Sequence, residues 1–122
     1  MTTRPRTSIA TERDEMKTLA AYLDAKRILW FHPFNEARRT PHLGRMLKAQ
    51  GLKSGTPDCM IIDPPPKFLM FHGTALELKR TKGGRISDAQ ARWIVDLNLR
   101  GWVAMVCYGA GHAIKELERL GY

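Results

Sequence analysis

The chain has 122 residues, enough for one domain with a real core. Lys and Arg number 20 against 12 for Asp and Glu, a formal net charge of +8 that favours a polyanionic partner, most simply nucleic acid. The two cysteines lie inside apolar runs with no Cys-x-x-Cys spacing, and no segment approaches the ~20 apolar residues of a membrane span, which argues against a zinc ribbon and a membrane protein.

Residues 1–10 carry Arg4, Pro5 and Arg6 without periodicity and read as a flexible arm. They lack the apolar core of a secretory signal. With cysteines that read as buried thiols in a reducing compartment, the expected location is the cytoplasm. Residues 11–122 read as a single domain.

A first helix is expected from Thr11, a good N-cap, with Glu12, Asp14 and Glu15 in its first turn. Its apolar stripe is Met16, Leu19, Ala20 and Leu23. Glu12 projects near the middle of that stripe and Glu15 about 60° to one side. An acid on a buried side is unusual. Glu12 is therefore the functional candidate of this helix, with Glu15 as the alternative; service to the helix dipole alone is the bland account of both.

Arg27 to His32 reads as a strand. The loop after it, Pro33 to Arg39, offers Arg38 and Arg39 as a clamp on a backbone phosphate, or else as a solvated basic turn. Pro41 opens a second helix to Gln50, with Leu43, Met46 and Leu47 as its apolar side, and Gly51 ends it. Leu52-Lys53-Ser54-Gly55-Thr56-Pro57-Asp58 is then a tight turn in which Lys53 can reach a phosphate.

The second strand is Asp58 to Ile62. Asp63-Pro64-Pro65-Pro66-Lys67 cannot be strand interior and makes a hairpin-like connection to a third strand, Phe68 to Lys79, interrupted near His72-Gly73. Along that strand Ala75, Glu77 and Lys79 point one way and Leu76 and Leu78 the other. The basic glycine loop Thr81-Lys82-Gly83-Gly84-Arg85 follows; Lys82 and Arg85 are candidates for contact with nucleic acid.

Ser87-Asp88-Ala89-Gln90 fits a capping box at the start of a third helix, Asp88 to Arg100. Gln90 also precedes Trp93 and Ile94 at helical spacing and so faces the sheet; capping alone is the bland account of it, and a dual role is the alternative. Trp102 to Tyr108, almost continuously apolar, reads as a fourth strand buried on both faces. A last helix, Ala110 to Leu120, carries Ala113, Ile114, Leu117 and Leu120 on an apolar side expected to close the core, with a dimer seam as the alternative. The order α-β-α-β-β-α-β-α implies a mixed central sheet flanked by helices.

Asp58 and Glu77 are acids on neighbouring apolar strands. If those strands pair, the two carboxylates converge on one divalent cation, with the Leu78 carbonyl as a third oxygen. Mg²⁺ or Mn²⁺ prefer such donors and can activate water and hold charge on a leaving oxygen. Lys79, on the face of Glu77, can position the water or stabilise a pentavalent phosphorus. The chemistry implied is phosphodiester hydrolysis, with basic loops docking the backbone.

These motifs resemble the PD-(D/E)xK nuclease superfamily, and within it the VRR-NUC family. The likeness rests on Glu12; on the run His32 to Arg39; on Gly51 to Asp58; on Glu77-Leu78-Lys79; and on Ser87 to Gln90 followed by Leu99-Arg100-Gly101-Trp102. It covers nearly the whole chain in order. It implies a restriction-endonuclease-like αβββαβ core and divalent-metal-dependent DNA cleavage, with Asp58 and Glu77 as metal ligands, Lys79 catalytic, Glu12 the helix-one acid and Gln90 the motif glutamine. One departure is Met16, where the family often has a glutamine. Small stand-alone members resemble phage-encoded homodimers that act on four-way (Holliday) junctions in a bacterial host. The resemblance therefore implies a junction resolvase, with a nicking, flap-cutting or restriction-like nuclease, or a catalytically silent nucleic-acid-binding module, as alternatives.

Overall fold

A computed structural model describes residues 10–33 and 40–122. The elements follow in the order α1 (Glu12–Ala25), β1 (Trp30–Phe31), α2 (Pro41–Ala49), β2 (Cys59–Ile61), β3 (Thr74–Lys79), α3 (Asp88–Leu99), β4 (Val103–Tyr108) and α4 (Ala110–Leu120). The strands form one sheet in the order β1-β2-β3-β4. β1, β2 and β3 pair antiparallel, and β3 pairs parallel with β4 across the α3 connection. The result is the expected mixed α/β architecture, a mixed sheet flanked by helices. The arm expected over 1–10 lies, apart from Ala10, outside the described residues, as do Arg38 and Arg39.

Helix starts follow local chemistry. Thr11 caps α1 by accepting from the Asp14 amide at 3.1 Å, and the Asp14 carboxylate returns the bond to Thr11. Ser87 and Gln90 form the same reciprocal box on α3. Helix α4 starts differently: Gly109 has no side chain to offer, and the Glu15 carboxylate of α1 accepts from the Ala110 amide instead. An anion at a helix N-terminus also meets the positive end of the macrodipole. Glu15 thus ties α1 to α4.

The two faces of the sheet carry different layers. Leu19 and Leu23 of α1 and Ala113 and Leu117 of α4 pack with Cys59, Ile61, Leu76, Leu78 and Cys107. On the other face α3 packs Leu97, Trp93 and Ile94 against Ala75, Ala104 and Met60. The period-2 alternation of β3 therefore sends its leucines under α1 and α4, and sends Ala75, Glu77 and Lys79 to the α3 side.

Several expectations are corrected. β1 is two residues long rather than running from Arg27 to His32. Arg27 adopts φ 57°, and the Ile28 amide closes back on the Leu23 carbonyl at 3.1 Å, so α1 is still ending where the strand was expected. β3 begins at Thr74 rather than Phe68, because Phe68 to Phe71 turn on themselves through Phe68 N–H to Pro65 O and Phe71 N–H to Phe68 O. β4 is an edge strand rather than one buried on both faces: only Ala104 and Cys107 are buried, and Tyr108 is 44% exposed. The fully buried strand is β3, all six residues of it, because it has a strand on each side and helices over both faces. Helix α2 buries no residue, and the apolar side expected of it leaves Leu43 and Met46 in solvent.

Glu15→Ala removes the side-chain cap of α4 and should lower the unfolding free energy by about 0.5–2 kcal/mol. Urea unfolding of the two proteins side by side measures this; an unchanged midpoint would mean that the α4 N-terminus does not depend on Glu15.

Candidate functional site

The β2–β3 register pairs Cys59 with Leu76 and Met60 with Ala75. Continued one step beyond the paired residues, it sets Asp58 opposite Glu77. Residues so opposed hold their side chains on the same face of a sheet. Both therefore project toward α3.

Glu77 is 2% exposed and Lys79 is 6% exposed, an unusual burial for charged side chains. Gln90 Nε2 of α3 donates to Glu77 Oε1 at 2.7 Å. The Lys79 ammonium lies 3.5 Å from the same oxygen and 3.9 Å from Glu12 Oε1. Asp58 Oδ2 accepts from the Leu78 amide at 2.8 Å, which locks this acid, one residue before β2 rather than within the expected strand, to the backbone between Glu77 and Lys79. His32 Nδ1 donates to the Asp58 carbonyl, fixing the same residue from the β1 side.

Glu77 Oε2 is buried and, as a carboxylate oxygen, has no hydrogen-bond partner. Burial pushes the Glu77 carboxyl up to about 8; Asp58 adds to the rise as a neighbouring negative charge and as an acceptor for the protonated form, while Lys79 opposes it. Two acids so close favour sharing one proton.

The loop from Lys53 to Asp58 is held against α3. Gly55 has φ +79°, and a Cβ there would lie 2.7 Å from the Ala89 carbonyl carbon and 2.8 Å from the Gln90 amide nitrogen. Only a glycine permits that approach. Trp93 Nε1 adds a bond to the Ser54 carbonyl at 3.0 Å. On the other flank Gly84 folds over Lys79, whose Cβ would be 2.9 Å from an added Cβ. A cavity of about 220 Å³ opens there, lined by Glu12, Arg80 and Arg85.

The structure therefore brings Glu12, Asp58, Glu77, Lys79 and Gln90 together, with the Leu78 backbone between them. Glu12 rather than Glu15 reaches this cluster; Glu15 is occupied at α4. Arg85 borders the cavity beside Glu12, Lys82 stands exposed in the adjoining turn, and Lys53 lies at the start of the clamped loop. Arg80 carries no motif that singles it out in the sequence. The only hint is its position after Lys79, before a glycine turn that brings Gly83 and Gly84 alongside it. His32 reads as isolated in the sequence, and its contact with Asp58 depends on the β1–β2 register. Among the described residues no group of three or more His, Cys, Asp or Glu side chains is spaced to hold a metal unaided. Any cation here relies on two carboxylates and on backbone or solvent oxygens.

A family model described as the VRR-NUC domain matches residues 4–111. A solved structure of a VRR_NUC domain protein resembles the chain with a TM-score of 0.74 at 21% sequence identity, over 93% of this chain and 93% of that one, a likeness of fold. No curated protein gives a significant match. The matched span takes in α1 with Glu12, the Asp58 loop, Glu77-Leu78-Lys79 and the Gln90 helix, and the chain belongs to the VRR-NUC family of nuclease domains.

Proposed function

We propose that the chain is a divalent-metal-dependent DNA endonuclease in which Asp58, Glu77 and the Leu78 carbonyl hold Mg²⁺ or Mn²⁺. The observation that carries this is the buried, unpartnered Oε2 of Glu77 beside Asp58. An orphaned acid oxygen within a buried strand is costly unless something positive meets it. The donors are all oxygen, which suits a hard cation, and nuclease domains of this kind generally use divalent metals. When bound, such an ion supplies a more acidic water and a counter-charge for the leaving oxygen.

The chain's own residues do the rest. Gln90 holds Glu77 Oε1, which leaves Oε2 for the cation. The Leu78 amide holds Asp58 Oδ2 in the same way, leaving its second oxygen. The Lys79 ammonium, positioned between Glu77 and Glu12, orients the attacking water and offsets charge building on the phosphorus. Arg80 and Arg85 line the cavity next to Glu12 and neutralise the phosphate that enters it. Lys53 and Lys82 add backbone contacts.

Within this reading the substrate is branched DNA, most simply a four-way junction cut by a homodimer. One site cuts one strand, and symmetric resolution needs two. Nicking, flap or restriction-like cutting uses the same chemistry and is separated by substrate choice.

Two outcomes follow. Labelled four-way junction, linear duplex and flap DNA should be compared with Mg²⁺ or Mn²⁺; the junction is expected to be cut fastest. Asp58→Ala and Glu77→Ala should abolish cleavage, and Lys79→Ala should slow it by roughly 10²–10³-fold. Cleavage that survives either acid variant refutes the site, and equal rates on all three DNAs refute the junction preference.

The second concerns pH. Glu77 binds its proton more tightly folded than unfolded, so its contribution to stability is present below the ordinary carboxylate value of 4.5 and is lost as pH rises toward about 8. In EDTA, the melting temperature of the wild type should fall across that window more steeply than that of Glu77→Gln. At pH 8, added Mn²⁺ should raise the wild-type melting temperature and leave Glu77→Gln unmoved. Parallel pH profiles of the two proteins would contradict the raised pKa.

A further inference from the structure

Two open grooves meet at Lys53 and Ser54, outside the site. One, of about 600 Å³, runs along α2 and presents Arg45, Lys48 and Lys53. The other, of about 490 Å³, runs along α3 and presents Lys53, Arg92 and Arg100. They share Lys53 and Ser54 as a common wall. The five cations are all exposed, and among the described residues lining the grooves the one acid, Asp96, sits 3.9 Å from Arg100.

That common wall is the start of the loop that ends in Asp58. It is held at a fixed distance from the cluster by the Gly55 approach to Ala89 and Gln90 and by the Trp93 bond to Ser54. Gln90 in turn holds Glu77. A backbone lying in these grooves is therefore held in register with the acids through one rigid connection. The groove along α3 lies on the α3 face of the sheet, as Glu77 does, the α2 groove joins it at Lys53 and Ser54, and α1 and α4 cover the opposite face. Long cationic side chains spread along an open groove suit a flexible line of phosphates rather than a compact anion.

Resting on the nuclease reading above, we propose that Arg45, Lys48, Lys53, Arg92 and Arg100 form a track for the sugar-phosphate backbone of the DNA arm that extends away from the cut phosphate. The track binds and orients the arm and takes no part in bond breaking. Its charges then appear in affinity, in KM and in the salt dependence of binding.

The test is fluorescence anisotropy with a labelled duplex in EDTA across a range of NaCl concentrations, so that binding is read without cleavage. Removing one cation that neutralises a phosphate lowers the slope of log K against log salt by about 0.9 for duplex DNA. Arg45→Ala/Lys48→Ala and Arg92→Ala/Arg100→Ala should each lower it by up to about 1.8 on the same arithmetic. In cleavage assays both pairs should raise KM and keep kcat within about twofold. Lys17→Ala/Lys115→Ala, which removes the same charge from α1 and α4, should leave slope and affinity near wild type. All these side chains are exposed, so unchanged melting temperatures will show that the fold persists.

Track variants with the wild-type slope and affinity overturn the proposal, as does an equal effect of the α1/α4 pair, which would mean net charge rather than a track. A reduced slope in a protein that cuts no DNA leaves the track standing and removes the nuclease reading. Cleavage that depends on Asp58 and Glu77 with unmoved slopes removes the track alone.

Discussion

The carboxylate of Glu77 is the constraint on which most of the surrounding geometry depends. A charge withdrawn from water to this degree costs several kcal/mol unless neighbours compensate it. Here compensation is partial: Gln90 and Lys79 converge on one oxygen and the other is left bare. Gln90 is engaged twice, since its Oε1 accepts from the Ser87 amide while its Nε2 donates to Glu77. The same side chain therefore starts α3 and sets the rotamer of the buried acid. Moving the helix moves the acid, and the glycine approach at residue 55 carries that linkage to the Asp58 loop.

This arrangement follows from the position of β3. A strand with neighbours on both sides and helices on both faces has nowhere to send a polar side chain except into the interior. The alternation along it separates two functions: Leu76 and Leu78 support α1 and α4, while Glu77 and Lys79 form one wall of the cluster. Shifting the register by one residue would exchange these sets, so the core and the site specify each other. The antiparallel step to β2 then places Asp58. The bond from Glu15 to the start of α4 fixes α1 where Glu12 reaches Lys79.

Much of this is legible in the sequence. Helix starts are local, so Thr11, Ser87 and Gln90 announce them through capping chemistry alone. The glycine ends at Gly51 and Gly101 are equally local; both residues have positive φ. The alternation Ala75 to Lys79 likewise reveals which residues share a face. The parts that are not legible are tertiary in origin. β1 is short because Arg27 takes a left-handed conformation that its sequence does not advertise. The apolar run of β4 marks parallel pairing with β3 rather than burial on both faces. Glu15 competes with Glu12 in the sequence because helical projection gives an angle and no partner; only the position of α4 shows where it goes. Arg45, Lys48, Arg92 and Arg100 do not stand out as a group because they come from two helices brought alongside one loop.

The charge distribution sets one further condition on the proposed chemistry. The chain is strongly basic overall, yet the five side chains that meet at Glu77 include three acids, Glu12, Asp58 and Glu77, and one cation, Lys79. A phosphate is drawn toward the molecule by exposed cations whose fields are screened within about 8–10 Å at ordinary ionic strength. At closer range it meets carboxylates in a poorly solvated site, where like charges repel far more strongly than in water. On the proposed chemistry, basic loops alone do not bring a phosphodiester to the Asp58–Glu77 pair, and a positive charge between the two acids lowers that barrier. A proton satisfies the pair electrostatically but leaves nothing to activate water. A divalent cation satisfies the pair and presents residual charge to the incoming phosphate. On this reading the acids and the basic surface are complementary parts of one design, in which exposed charge gathers the substrate and buried charge admits it only with a metal in place.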